Sequence, residues 1–427
     1  MSLKSKFPLP LRQVSIRGAV TKLALLPFAA ITSLFLFSLR PIYVIRIVWM
    51  GRNIGQSTVC TELERLQTLK FNNKNFRKMV TIFYADGREV NEYLRKFWRQ
   101  NALTIRGNFG YLLNKIYGRY FSPVTNPRHK SEVGLVDFEG LLCDSRLPIP
   151  EFTKRERDRG EEFVDSVCPS GKFVCLHVRD AAYYSFQKKL VDNSAFHFYR
   201  DSDIASYSLA AKALAEMGYT VFRMGARVNK TLISEHPGII DYATNGMRTD
   251  FLDFYLGAKC AFCISTGSGW DGIPTIFRRP IMFVNALPTF APSILCLNSL
   301  IFPKTFVQIS SRFSLSLRDL AEKNLVITDR HMIYADENGK AITDFTNVGV
   351  EIRDLSSEEL VEAVTEMAQR VEGTFVETLE QKEMQAKLKH ILSTHPKLQP
   401  SPNYYPIRAQ FASCFLSRYP NFMYGLD

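Results

Sequence analysis

Short apolar strands alternate with helical segments along most of this chain, and this alternation restricts its fold more than any other feature. Residues 42–50 are β-branched and apolar, and a glycine turn and a helical stretch follow them; residues 79–84 and 89–100 repeat the pattern. Strands that alternate with helices form parallel sheets with helical crossovers. The sequence therefore predicts an α/β fold that opens with a Rossmann-like half.

The alternation starts again after a charged stretch at residues 151–162, with apolar strands at 172–178, 219–224 and 260–265. At about 150 residues per domain, the 427 residues amount to two or three domains. Two similar halves are the simplest interpretation of the repeated alternation. We expect a Rossmann-like domain at 41–165, a second one at 166–400, and a C-terminal tail at 401–427, with a cleft between the domains. Residues 103–150 are irregular and are predicted to form loops.

The first 40 residues differ from the rest in charge. The chain carries 54 basic and 42 acidic residues, a net charge of +12, yet no acidic residue precedes Glu62. The basic residues before that point are Lys4, Lys6, Arg12, Arg17, Lys22, Arg40, Arg46 and Arg52. A basic head next to an apolar run is typical of contact with an anionic membrane surface rather than with nucleic acid.

Residues 18–39 form that apolar run, and Lys22 and Pro27 interrupt it. Its length of about 20 residues is enough for a bilayer-spanning helix, but its interrupted hydrophobicity favours a helix that lies in the membrane interface. Both possibilities stay open from sequence. The eight cysteines have no disulfide-framework spacing, and Cys260 and Cys263 lie in an apolar strand, so we expect a reducing, cytoplasmic compartment.

Polar residues gather where the predicted strands of the second half end. Ligands of open α/β sheets bind beyond the carboxyl ends of the strands. The residues at these ends are His177, Arg179, Asp180, Arg223, Gly225, Asp241, Tyr242, Ser265, Thr266, Gly267 and Ser268. Guanidinium groups and glycine-rich turns bind phosphate, so the pattern predicts a ligand that carries phosphate.

Several common chemistries have no motif here. The sequence contains no phosphate-binding loop of the Gly-x-x-x-x-Gly-Lys type, no His-Glu-x-x-His and no nucleophile elbow after a strand. Asp201 and Asp203 have the spacing of a metal-binding Asp-x-Asp, but Asp203 is placed to cap a helix. The sequence thus predicts neither a metal nor a separate cofactor.

Four segments of the second half resemble the signature of a family of bacterial glycosyltransferases: 175–183, 199–203, 223–225 and 265–274. The similarity extends over about residues 45–383. More distantly, His177-Val-Arg179-Asp180 and the segment 265–270 are similar to motifs of fucosyltransferases that use GDP-fucose, which are two-domain GT-B enzymes. Those enzymes have a second arginine where Asp180 stands, so the resemblance leaves the donor sugar and its base open.

The resemblance implies a metal-independent GT-B glycosyltransferase. Its donor would be a nucleotide diphosphate sugar, bound through the diphosphate by Arg179, with Ser265, Thr266 and Ser268 nearby. The N-terminal domain would take the acceptor, a lipid-linked or surface saccharide, and the enzyme would work at the cytoplasmic face of the inner membrane in polysaccharide biosynthesis.

The chemistry assigns roles to the remaining strand-end residues. Arg179 and Arg223 would stabilise the leaving diphosphate, and Asp180 would deprotonate the attacking hydroxyl, with His177 as the alternative base. Two other functions stay open: a nucleotide-sugar epimerase of the same fold, and a non-catalytic membrane-associated partner of a polysaccharide assembly complex.

Overall fold

A computed structural model of the protein describes residues 16–51, 53–85, 91–118, 137, 139–182, 198–287, 298–325, 342, 344–394, 398 and 409–423. The helices of these residues are α1 (Ile16–Ser38), α2 (Thr61–Lys74), α3 (Glu92–Asn101), α4 (Gly107–Leu113), α5 (Lys154–Val167), α6 (Ser208–Glu216), α7 (Asp250–Lys259), α8 (Gly272–Ile276), α9 (Leu317–Glu322), α10 (Ser357–Glu372), α11 (Leu379–Thr394) and α12 (Ser413–Arg418). The strands are β1 (Tyr43–Trp49), β2 (Lys78–Tyr84), β3 (Thr104–Ile105), β4 (Phe173–His177), β5 (Thr220–Arg223), β6 (Ile239–Ile240), β7 (Cys263–Ser265), β8 (Ile281–Ala286), β9 (Leu300–Pro303), β10 (Thr305–Gln308), β11 (Val350–Arg353) and β12 (Gln410–Phe411).

Two parallel sheets form the framework of the described chain. The first half contributes a three-stranded sheet in the order β1-β2-β3, and the second half a seven-stranded sheet in the order β12-β9-β8-β7-β4-β5-β6. Strands β5, β7 and β8 are buried along their whole length, as expected when helices cover both faces of a parallel sheet. The predicted α/β fold class is confirmed.

The described parts of 103–150 and 401–427 contain regular structure that sequence periodicity does not predict. β3 and α4 form where loops are expected, and residues 119–136 lie outside the described residues. Near the C-terminus, β12 pairs with β9 at the edge of the large sheet, and Phe415 of α12 is buried. Two-residue strands and one- or two-turn helices are too short to show a period.

Helix α1 packs against the first half. Ala29, Ser33 and Leu36 are buried, and Leu36 belongs to a core that includes Tyr84 and Tyr117. The stretch Val20–Ser38 is long and apolar enough to cross a membrane.

The two halves share one aromatic core. Phe97 of α3 lies 4.5 Å from Phe254 of α7 between ring centroids, and Phe152 stacks on Phe277 at 5.4 Å. Gly160 of α5 also faces Tyr255 so closely that a Cβ there would lie 2.3 Å from the ring. The second half is therefore seated tightly on helices of the first.

Candidate functional site

The predicted site lies at the switch point of the large sheet. From β4 the chain adds β5 and β6 on one side, and it then returns to place β7 on the other side of β4. His177 at the end of β4 is in register with Ser265 at the end of β7. Ligands of open α/β sheets bind where the strand order reverses in this way. The structure thus brings together 177–180 and 265–268.

The loop after β7 is held by a buried carboxylate. Asp271 accepts hydrogen bonds from Ser265 Oγ at 2.6 Å and from the Ser268 backbone N–H at 2.6 Å. Ser268 in turn caps the short 3₁₀ turn Gly269–Asp271, which leads into α8. Burial raises the pKa of Asp271 to about 6, although the hydrogen bonds from both serines oppose this shift. Ser265 is fully buried, so its hydroxyl shapes the loop.

Thr266 joins this loop to the end of β4. Its hydroxyl accepts the backbone N–H of Arg179 at 2.9 Å. Gly267 has a φ of +84°, a conformation that favours glycine, and its carbonyl accepts a 2.6 Å hydrogen bond from the Arg200 guanidinium. Two arginines therefore lie beside the same turn.

Arg179 faces an acidic residue. Its Nε lies 3.2 Å from Asp201 Oδ1, with 8 % of the Arg179 side chain and 26 % of the Asp201 side chain exposed. Burial raises the pKa of Asp201, although the positive charges of Arg179 and Lys304 oppose this shift. Lys304 is itself buried, and it pairs with Asp354 at 2.7 Å and donates to the Asp201 carbonyl at 3.1 Å.

His177 stacks on Trp270. The two rings are parallel to within 6°, with centroids 5.3 Å apart. Burial lowers the pKa of His177 to about 4, and the charge of Arg223 adds to this effect. The imidazole is therefore neutral at pH 7. Among the described residues, no hydrogen-bond partner is found for His177 Nδ1.

Asp180 anchors the neighbouring loop. Its Oδ2 accepts the Asn229 backbone N–H at 2.7 Å, and its Oδ1 accepts the Ala182 N–H at 2.9 Å. The carboxylate is half-buried and lies next to Arg179 in sequence. Its predicted role as a base stays a prediction.

Arg223 and Asp241 meet each other. Arg223 is fully buried, and its Nη1 lies 3.1 Å from Asp241 Oδ1 while its Nη2 donates to the Lys230 carbonyl. Asp241 also accepts the Leu232 N–H and the Thr244 hydroxyl. The pair holds the loop that starts at Gly225, and this arrangement lends no support to a direct contact of either side chain with a ligand.

Tyr242 is fully buried, and its hydroxyl is hydrogen-bonded to the Thr249 backbone. Its ring packs edge-on against Phe222. The side chain of Tyr242 thus packs in the core, and its ligand-binding role stays a prediction.

The glycine turn of the first half reaches the same loop. A Cβ on Gly269 would lie 3.3 Å from the Gly55 backbone nitrogen, and one on Gly272 would lie 2.1 Å from Thr58 Oγ1. The turn after β1 and the turn after β7 are thus in contact. Trp98 supports this contact by donating its indole N–H to the Ser57 carbonyl at 2.7 Å.

The sequence-predicted site lacks Arg200, Lys304 and Asp271, and Asp201 is considered from sequence only as part of an Asp-x-Asp motif. The pattern Ser268-x-x-Asp271 is a capping box, and this signal could have identified Asp271. Lys304 follows a strand, β9, that periodicity does not reveal. Among the described residues, no group of three His, Cys, Asp or Glu side chains could hold a metal ion.

Comparison with known proteins gives similarity to solved structures alone. ADP-heptose lipopolysaccharide heptosyltransferase II of E. coli is 13 % identical, with a TM-score of 0.38 over 60 % of this chain and 89 % of that chain. A family 9 glycosyl transferase of Veillonella parvula is 11 % identical, with a TM-score of 0.42 over 77 % and 97 %. The iron-containing heptosyltransferase TibC, solved with ADP-D-β-D-heptose, is 11 % identical, with a TM-score of 0.32 over 77 % of each chain.

All three are glycosyltransferases. No family model matches the chain, and no curated protein matches it in sequence. The resemblance to fucosyltransferases stays a prediction.

Proposed function

We propose that this protein is a glycosyltransferase of bacterial glycan synthesis that moves a sugar from a nucleotide diphosphate sugar to a lipid-linked or surface saccharide. One observation carries the proposal. Arg179, Arg200 and the Thr266–Ser268 turn meet at the switch point of a seven-stranded parallel sheet, and the glycine turn of the other half contacts the adjoining Gly269. A site of this kind suits a diphosphate between a nucleoside and a sugar.

The arginines would hold the diphosphate. One guanidinium group can bind two phosphate oxygens at once, and it stays charged at every physiological pH. Arg179 lies in a mostly buried position, where its electrostatic interaction with phosphate is stronger than in water. Two arginines would supply the charge stabilisation that other transferases obtain from a metal ion, so we propose a metal-independent reaction.

The reaction would be a displacement at the anomeric carbon. An acceptor hydroxyl oxygen forms the new bond to that carbon, the bond to the diphosphate oxygen breaks, and the nucleoside diphosphate leaves with the electron pair. The hydroxyl proton passes to a general base of the protein. Asp180 stays our proposed base with His177 as the alternative, and the neutral imidazole of His177 at pH 7 is consistent with that alternative.

The acceptor would enter from the first half. The turn after β1 is the part of that half that contacts the donor loop, and helix α1 gives the same half a long apolar surface. An acceptor carried on a lipid would be brought to the site by an enzyme held at the membrane. We therefore propose that the reaction takes place at the cytoplasmic face of the inner membrane.

The test is ligand-induced thermal stabilisation of the full chain in mild detergent. The panel consists of nucleoside diphosphates and their sugars. A ligand at 100 times its dissociation constant should add about 2.7 kcal/mol to the free energy of unfolding. Arg179→Gln should abolish the shift. Arg312→Gln is the control, because Arg312 lies in an exposed ion pair with Glu351.

Product analysis then separates the candidate functions. A transferase releases nucleoside diphosphate and transfers the labelled sugar to a lipid extract, whereas an epimerase changes the sugar without releasing diphosphate. A non-catalytic partner would show neither product. If no nucleoside diphosphate or nucleotide sugar of the panel stabilised the wild type, the proposal would be overturned.

A further inference from the structure

Helix α1 is covered along one narrow stripe. The covered side chains recur every three or four residues, at Lys22, Leu25, Ala29, Ser33 and Leu36, and they are buried or half-buried. α1 packs against α4 and the adjoining turn 114–118. Lys22 near the start of α1 lies 4.6 Å from the Tyr111 ring centroid of α4, and Leu36 near its end enters the core of the first half. The helix is therefore fixed to the folded body near both of its ends.

Most of the other described side chains of α1 are apolar and exposed. Eight large hydrophobic side chains are between 42 % and 72 % exposed: Val20, Leu23, Leu26, Phe28, Ile31, Leu34, Phe35 and Phe37. A contiguous apolar face of this kind on a soluble surface marks an interaction site.

The charge pattern selects an anionic lipid surface as the occupant. The sequence before and within the start of α1 supplies Lys4, Lys6, Arg12 and Arg17 and no acidic residue. Each basic residue near an anionic leaflet adds to attraction at the surface. An exposed apolar helix beside a basic segment binds an anionic bilayer through both apolar burial and electrostatic attraction.

We infer that α1 is an in-plane anchor whose outer face enters one leaflet of an anionic bilayer while its inner stripe stays on the protein. This inference refines the membrane association of the proposed function. It also chooses between the two possibilities that the sequence leaves open.

The packing argues against a transmembrane orientation. If α1 crossed the bilayer, its partners α4 and 114–118 would have to enter the hydrocarbon with it. These partners carry the polar and charged side chains of Asn108, Asn114 and Lys115, and Arg106 directly precedes α4. Arg106, Asn108 and Lys115 are exposed. Such groups are costly in hydrocarbon. A helix parallel to the membrane plane keeps them in water.

Vesicle flotation of the full chain tests whether the outer face of α1 binds an anionic lipid surface. The probe is vesicles of phosphatidylglycerol and phosphatidylethanolamine, compared with vesicles of phosphatidylcholine alone. We expect the chain to float with the anionic vesicles, and Ile31→Glu with Leu34→Glu to reduce the bound fraction at least tenfold. The matched control is Val376→Glu with Leu379→Glu, which changes two equally spaced, exposed apolar residues of the other half by the same charge. An equal loss in both pairs, or no loss in the α1 pair, would overturn the inference.

Protease accessibility tests the orientation. In sealed inverted membrane vesicles, an epitope at the N-terminus and the folded body should both be cleaved from the outside. A protected epitope next to a cleaved body would show that α1 crosses the bilayer.

Two further measurements distinguish failure of the membrane anchor from failure of the proposed function. The α1 variants should keep the wild-type unfolding temperature, because they change exposed residues. They should also keep the wild-type response to nucleoside diphosphates. Vesicle binding without any nucleotide response would leave the anchor standing and remove the proposed enzyme.

Discussion

Arg179 and Asp201 form an ion pair at 3.2 Å in the centre of the candidate site. The Asp201 carboxylate already pairs with the Arg179 guanidinium, which is the group that a diphosphate would bind. A donor would therefore have to displace Asp201 from Arg179, and the free carboxylate would then face the reacting groups.

The first prediction follows from this competition. Asp201→Asn should tighten nucleoside diphosphate binding about three- to tenfold, because a partly exposed ion pair contributes about 1 kcal/mol and tenfold in affinity is about 1.4 kcal/mol. Calorimetric titration measures the change. Asp203→Asn is the control, since that carboxylate caps a 3₁₀ turn and pairs with Lys230. Weaker binding of Asp201→Asn would contradict the competition.

The second prediction concerns acid stability. The folded-state pKa of His177 is lowered from 6.5 to about 4 by burial, so its contribution to stability is present above pH 6.5 and is lost as the pH falls towards 4. The wild type should lose on the order of 2 to 3 kcal/mol of unfolding free energy relative to His177→Phe over this range. Denaturant unfolding at several pH values measures the difference. If the unfolding free energies of the wild type and of His177→Phe changed in parallel with pH, the prediction would be contradicted.

The same variant tests catalysis. A phenylalanine keeps a ring against Trp270 but removes the imidazole nitrogens. If His177 is the base, turnover falls steeply while donor binding is kept. Retained turnover would leave the role with a carboxylate.

The third prediction separates structural from binding arginines. Arg223→Met should cost about 3 to 5 kcal/mol of stability, because it leaves Asp241 buried without its partner. Below the lowered melting temperature, nucleotide affinity should be unchanged. Normal stability with lost affinity would instead place Arg223 on the ligand, as the sequence suggests.

The fourth prediction concerns the contact between the halves. Gly272→Ala should destabilise the protein by about 1 to 3 kcal/mol, because its new methyl group would overlap the Thr58 hydroxyl. Adding Thr58→Ala should recover part of the loss. Chemical denaturation of the single and double variants measures both effects, and a double variant worse than the sum of the single changes would argue against this contact.

The sequence predicts the parts of this protein that are long or periodic. Buried strands such as β4 and β5 lie where their apolar patterns place them. Strand-end position brings His177, Arg179 and Ser265 to the correct edge of the sheet. It does not tell whether a side chain turns toward the cleft or the core, because that depends on partners distant in sequence. Two examples are Asp241, which pairs with Arg223, and Tyr242, which packs on Phe222, although both residues follow the end of a strand.

The aromatic core of Phe97, Phe152, Phe254 and Phe277 has a consequence for how the chain unfolds. Since rings from both halves fill a single interior, neither half can lose its structure without exposing apolar surface of the other. We expect one cooperative transition rather than two. A fragment cut between α5 and β4 should not be an autonomous folding unit, and the two halves should unfold together as one thermodynamic body.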